Sequence, residues 1–306
     1  VTSIAEDAFN GNILTSVTFE SNSQITSIGY RAFYNSGLDT LDIPLSVISI
    51  GESAFELNKI STFQGGRNLE TIGIRAFASN KLTSLTIPNK VKTISSNAFS
   101  SNSLITVMFL GSDVETIGSS AFQGNSLTKL FIPTSVTSLG SSAFRNNTLT
   151  AVYFFNIPSI GINCFTGNNS NMQAYYLNGL QNDGIVTPSP FVSKTSKTLV
   201  EMLKPLLDEV GVSVGTLVND GYTFENLAQA EATAQQLFGY FDNIPEPVPL
   251  SIYISYFSVS VLKTAKSSLT ASDFKTASAD IQQVFTQFGL TAMITAGYTV
   301  LQIVQG

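Results

Sequence analysis

The apolar positions of this 306-residue chain fall into two regimes. Up to about residue 178 they follow neither the 3.6-residue spacing of a helix nor sustained alternation; a block of apolar and small positions instead recurs at a nearly fixed length. Anchored on the Phe of an Ala-Phe pair, the copies stand at Phe9, Phe33, Phe55, Phe77, Phe99, Phe122 and Phe144, with a last one at Phe165 where Cys164 replaces the Ala. Successive gaps of 24, 22, 22, 22, 23, 22 and 21 residues predict a solenoid. Each copy is one coil that buries its apolar edge only against its neighbours.

Each coil carries one skeleton. Five residues before the Phe stands Ile4, Ile28, Ile50, Ile72, Ile94, Ile117, Leu139 or Ile160. Five, eight and ten residues after it come triplets such as Leu82/Leu85/Ile87 and Leu127/Leu130/Ile132. The alternating end of the triplet predicts a short strand with one buried face. Pro44, Pro88 and Pro133, which have no N–H for a ladder, stop it. Three residues after the Phe an Asn recurs (Asn12, Asn58, Asn80, Asn102, Asn125, Asn147, Asn168), with Ser36 the exception. Stacked copies of this Asn are expected to form an internal amide ladder that satisfies turn backbone groups. Gly29, Gly51, Gly73, Gly118, Gly140 and Gly161, each four before the Phe, are assigned to a tight corner. The third coil departs from the pattern: Gly65 stands where an Ile belongs and no Pro follows, so its strand is expected to be short or bulged.

The repeat fades after Phe165, and residues 168–176 read as a last strand over the open end. Asn182-Asp-Gly and Pro188-Ser-Pro mark a linker over 179–192. From 193 to 306 the spacing turns helical and predicts a small all-α bundle of four or five helices. Leu199, Met202, Leu203, Leu206, Leu207 and Val210 make one face, with Pro205 interrupting it. Phe224, Leu227, Leu237 and Phe238 make a second. Thr270 and Asp273 form a capping box for a third that carries Phe274, Ala277 and Ile281, and a fourth runs through Leu290 and Ile294. The stretch 250–262 fits both periods and is assigned to helix. The uncharged runs 247–262 and 290–306 are too short and too diluted by Ser, Thr, Gly and Gln to span a bilayer, so no transmembrane segment is expected.

Composition narrows the chemistry. Charged residues are 12% of the chain, so the surface is built of hydroxyls and amides. The net charge of −6 without a basic run excludes a nucleic-acid footprint. The charge is −1 up to residue 178 and −5 beyond it, as separate modules would give. With no His and one Cys, no Ser-His-Asp triad, Cys-His pair, His-ligated metal or intramolecular disulfide can form. No cofactor or catalytic group is expected, and Cys164 is read as a packing residue in the Ala slot. The chain starts at Val1 and not Met, consistent with a removed leader or a fragment.

The run Ile-Gly-x-x-Ala-Phe-x-x-Asn-x-Leu-Thr-x-Leu-x-Ile-Pro-x-x-Val, read from 117 to 136, resembles the BspA-type leucine-rich repeat, and its L-x-x-L-x-L end is the strand signature of that class. The likeness covers about residues 1–178. It implies about eight coils whose short strands stack into a parallel sheet. It also implies a non-catalytic scaffold at an extracellular or exposed surface, of a cell or a virion.

Function is then confined to positions the repeat leaves free. Positions six, seven and nine after each Phe are expected to face outward. The ninth reads Thr18, Asp42, Gln64, Thr86, Met108, Phe131, Tyr153, polar first and then three large side chains on adjacent coils. Met108, Phe131 and Tyr153, beside Lys129, are expected to be an exposed column that either docks the C-terminal domain or binds a partner. Asp39 and Asp42, among Thr15, Ser16, Thr18, Thr83, Ser84 and Thr86, form a hydroxyl-and-carboxylate face suited to sugars or a protein loop. The expected function is recognition or adhesion through this face, with a protein or glycan as partner. The alternative is a structural subunit that meets copies of itself in an extracellular or viral assembly, anchored by the helical domain.

Overall fold

A computed structural model describes residues 1–64, 66–109, 113–177, 191, 193–205, 224–230, 232–233, 235–237, 250–253, 257–277, 279, 283–284, 287, 292 and 296. The chain divides into two compact units, Val1–Met202 and Leu203–Gly306.

The first unit is a parallel β-solenoid of about eight turns. Every coil contributes a two-residue strand just before its Phe turn: β1 (Ser3–Ile4), β2 (Ser27–Ile28), β4 (Ser49–Ile50), β6 (Thr71–Ile72), β8 (Thr93–Ile94), β10 (Thr116–Ile117), β12 (Ser138–Leu139) and β14 (Ser159–Ile160). These eight pair in sequence order, all parallel, in one continuous sheet. Its inward residue is the recurrent Ile or Leu; its outward residue is always Ser or Thr. This sheet is an addition to the expected architecture, because a two-residue strand shows no period in the sequence.

The second strand of each coil is the one the apolar triplet predicts: β3 (Thr40–Asp42), β5 (Thr62–Gln64), β7 (Ser84–Ile87), β9 (Thr106–Phe109), β11 (Lys129–Ile132), β13 (Ala151–Phe154) and β15 (Gln173–Leu177). Here the sheet is divided: β3 pairs with β5, β7 with β9, and β11, β13 and β15 with one another. Gly65 lies outside the described residues. The third-coil strand spans three described residues, as β3 of the second coil does, and Phe63 fills its interior slot with its ring 4.6 Å from that of Phe77.

Between the two strands, the Phe turn holds two residues at positive φ in every coil, two before and two after the Phe. The Phe rings stack in one unbroken column from Phe9 to Phe165, with centroids 5.0–5.7 Å apart and planes within 14° of parallel. Offset stacking adds about 0.5–1.5 kcal/mol per pair beyond the area buried. Beside this column runs the amide ladder. Asn102 Nδ2 donates to the C=O of Phe77 (2.9 Å) and Phe99 (3.2 Å), and its Oδ1 accepts from Leu82 N–H (3.1 Å). Asn58, Asn80, Asn125, Asn147 and Asn168 repeat the pattern. At the exception, Ser36 Oγ donates to Phe9 C=O (2.6 Å), and the N–H of Leu14 turns to Ser36 C=O (2.7 Å).

The glycines four before the Phe do not serve a corner. None of the six has a positive φ, and a Cβ built on them would meet the backbone of the preceding coil at 2.4–2.8 Å. They are required by close approach between coils, where their N–H bonds the Ile or Leu carbonyl below at 2.7–2.9 Å. Ser95 takes this slot in the fifth coil, and there the corresponding bond is missing.

Residues 168–176 do contain a strand, but it is not the last. Ser193–Lys197 forms β16, parallel to β15 over five residues. Residue 193 therefore continues the solenoid sheet and does not open a helical domain. Of the expected linker only Phe191 is described. Its ring lies 6.1 Å from Phe154 and 5.3 Å from Phe165, closing the Phe column. Phe9, at the other end of the column, is 40% exposed.

Helix begins at α1 (Leu199–Pro205), opened by a Thr198–Glu201 capping box. In the second unit the described helices are α2 (Phe224–Gln229), α3 (Leu250–Tyr253), α4 (Val259–Ala265) and α5 (Ala271–Thr276). The expected Thr270–Asp273 capping box opens α5. The ambiguous stretch 250–262 is helical where described but divided, because Ser258 caps a new helix. The predicted fourth face through Leu290 and Ile294 lies outside the described residues. No helix of the described residues is long and apolar enough to cross a membrane.

Candidate recognition face

The outward positions of the second strands form two columns. Residues eight and ten after the Phe are locked in the core: Leu41, Leu85, Val107, Leu130 and Val152 are buried, as are Ile43, Ile87, Phe109, Ile132 and Phe154. The pleat therefore turns positions seven and nine away from the core. Register aligns Thr40 with Thr62 and Asp42 with Gln64; Ser84 with Thr106 and Thr86 with Met108. It then aligns Lys129 with Ala151 and Gln173, and Phe131 with Tyr153 and Tyr175.

At the C-terminal end the column differs from the expected exposed patch. Phe131 is only 8% exposed and Tyr153 only 6%. Their rings stack at 4.6 Å, Tyr153 stacks on Tyr175 at 4.9 Å, and Lys197 Nζ sits 4.7 Å from the Tyr175 centroid. Burial, and then the neighbouring Tyr175, push the Tyr153 phenol above its ordinary value, so it is neutral at physiological pH. Met108 is half-buried on β9, which is not paired with β11, so it stands beside this stack and not in it. Tyr175 was missed because the last coil carries one extra residue ahead of its strand, placing Tyr175 ten residues after Phe165. Lys197 was missed because β16 leaves no repeat signature.

At the N-terminal end Asp39 and Asp42 are exposed. Asp42 lies in an open cleft of about 880 Å³ lined by Ser16, Thr18, Glu20, Thr40, Leu45 and Thr62, among others. Asp39 lies outside it; its backbone N–H bonds Thr15 C=O (3.4 Å) and its C=O accepts from Ser61 N–H (3.0 Å). Lys129 is half-buried on β11, several coils away, so the six singled-out residues occupy two ends of one face and do not form one site.

Reactive chemistry is sparse among the described residues. No group of three His, Cys, Asp or Glu side chains could hold a metal ion. Cys164 is buried in the Ala slot, and burial pushes its thiol up to about 12. It is a packing residue with no accessible thiolate.

Three solved structures are similar to this chain at low identity. A leucine-rich repeat protein from Bacteroides ovatus is 20% identical, with 64% of each chain covered and a TM-score of 0.40. The pneumococcal vaccine antigen PcpA is 18% identical over 65% of this chain and 78% of that one, with a TM-score of 0.31. A leucine rich cell surface protein from Faecalibacterium prausnitzii is 19% identical over 64% and 66%, with a TM-score of 0.34. This chain thus spans under two thirds of the Bacteroides ovatus protein. No curated protein matches it. The family model of the BspA type leucine rich repeat region matches in six copies, over residues 1–106 and 92–182. With its ladders, its periodic Ala-Phe turn and more than half its length matched, the chain belongs to the BspA-type leucine-rich repeat family.

Proposed function

We propose that this is a non-catalytic recognition protein, exposed at a surface, that binds a protein or glycan through the outward columns of its second strands. One observation carries the reading. The inward positions repeat almost without change from coil to coil, while the accessible side chains of the two outward columns pass from hydroxyl and carboxylate groups to half-buried Met108, Lys129 and Tyr175. A rigid frame with a graded, chemically varied face is a means of presenting side chains, and specificity then resides in those side chains. Residues 203–306 are read as a helical bundle appended to this frame.

The test is binding of the full chain to printed arrays of glycans and extracellular proteins, followed by substitution. Thr86→Arg, Met108→Arg and Tyr175→Arg together weaken the captured partner at least tenfold. Ile74→Arg and Ile162→Arg, exposed in the Phe turns, leave it unchanged. The reverse ranking overturns the reading. A second reading, a structural subunit that associates with its own copies, is favoured by the exposed apolar side chains of the Phe turns, Tyr30, Leu57 and Ile74. Sedimentation separates the two, since a concentration-independent monomer eliminates self-assembly.

A further inference from the structure

We infer that the cleft between the first and second coils is a docking slot for a short extended peptide carrying Lys or Arg; this rests on the recognition reading above and names the partner of one end of that face. The cleft has a structural cause. The first coil is 24 residues long where most are 22, and the excess lies between two points at which it is tied to the second. One tie is Asp39 N–H to Thr15 C=O (3.4 Å), the other Ser46 Oγ–H to Ile25 C=O (2.8 Å). Between these ties one wall has nine residues, 16–24, and the other six, 40–45, so the longer wall bows outward and opens the slot.

Two properties select the occupant. The first is a free strand edge. β3 pairs with β5 on one side, and the first coil contributes no strand to its other side, so the outer edge of β3 faces the slot. An extended segment laid along it at about 4.8 Å completes the ladder, with alternate side chains directed to the two faces. The second is charge. The lining includes the carboxylates of Glu20 and Asp42 and no Lys or Arg. A cationic side chain at alternate positions meets them, while the exposed Leu45 and half-buried Val17 and Phe19 offer apolar contact for the residues between. A neutral oligosaccharide can donate its hydroxyls to these carboxylates, but it neither completes a strand ladder nor compensates their charge.

The experiment pans a phage-displayed library of random hexapeptides on the immobilised full chain. The slot predicts enrichment of peptides with Lys or Arg at alternating positions. These bind at least tenfold more weakly to the Glu20→Gln/Asp42→Asn chain, whose changed side chains are solvent-exposed and leave the fold intact. A synthetic version N-methylated at alternate residues loses binding, because it cannot complete the ladder. No enrichment overturns the proposal, as do enriched peptides that bind the double variant or the N-methylated form equally well. Hexapeptides that ignore Glu20 and Asp42 but are lost with the Thr86, Met108 and Tyr175 substitutions refute the slot and leave the recognition reading standing. Capture of neutral glycans at Asp42 refutes the peptide assignment alone.

Discussion

Replacing Asn102 by Ala tests the frame at its most demanding point. The amide is buried and spans two coils, holding Leu82 N–H, Phe77 C=O and Phe99 C=O at 3.1, 2.9 and 3.2 Å. Alanine leaves Leu82 N–H without a partner in a closed stack, while Phe77 C=O keeps Asn80 Nδ2 (3.1 Å) and Phe99 C=O keeps Asn125 Nδ2 (3.0 Å). A buried orphan costs about 1–3 kcal/mol. Each carbonyl bond lost adds about 0.5–1.5 kcal/mol, and a water admitted to the space returns part of the whole, giving an expected loss of about 2–5 kcal/mol against a domain stability of about 5–15. Two controls come from the molecule. Asn12 holds the same place in the first coil and is exposed, so Asn12→Ala should cost no more than about 0.5 kcal/mol. Asn102→Ser should fall between, since Ser36 shows that a hydroxyl serves the carbonyl but makes the Leu N–H find another acceptor. Urea unfolding followed by circular dichroism gives the midpoints. A midpoint for Asn102→Ala equal to that of Asn12→Ala would refute the ladder as a stabilising element.

Three further outcomes follow from local geometry. Leu57 is held at φ 60° although 43% exposed, where Gly11, Gly124 and Gly167 occupy the equivalent place in other coils. Left-handed geometry costs a side chain with a Cβ about 1–2 kcal/mol, so Leu57→Asn should raise stability by about 1 kcal/mol; a lower melting temperature would contradict this. Gly140→Ala places a Cβ about 2.4 Å from Ser119 N, and calorimetry should show a loss of about 1–3 kcal/mol from overpacking; an unchanged melting temperature would show that the coils part freely. Cys164 should resist iodoacetamide at pH 8 until the chain is unfolded. Because its folded pKa is raised to about 12 from 9.0, the unfolded chain ionises first and the folded state loses stability as pH rises from about 9 toward 12. Cys164→Ala should remove that part of the alkaline slope, and identical slopes for the two proteins would show that the thiol is not buried.

The repeat was legible because a solenoid imposes one environment on every copy. Phe, Asn, Gly and the Leu triplet return at fixed spacing wherever a position is locked between coils. The amide ladder followed from Asn recurring in a turn. The role of the glycines did not: a corner and a close approach both select Gly, and only the coordinates show Gly140 against Ser119. The eight-stranded sheet escaped notice because Ser3–Ile4 and its equivalents are too short to show alternation. Phe191 and β16 have no repeat register, yet they finish the solenoid. The outward columns were predictable in direction from the pleat. Burial of Phe131 and Tyr153 does not follow from the pleat, which only turns them off the core; a surface that docks another part of the chain is the reading that implied it.

Hydroxyl-radical footprinting of the full chain, with and without the macromolecule captured on the arrays, tests the recognition claim most directly. Binding through the outward columns predicts reduced oxidation at Met108 and Tyr175, with Tyr30, Ile74 and Ile162 in the Phe turns unchanged. Protection of Tyr30, Ile74 and Ile162 while Met108 and Tyr175 oxidise as in the free chain would contradict it.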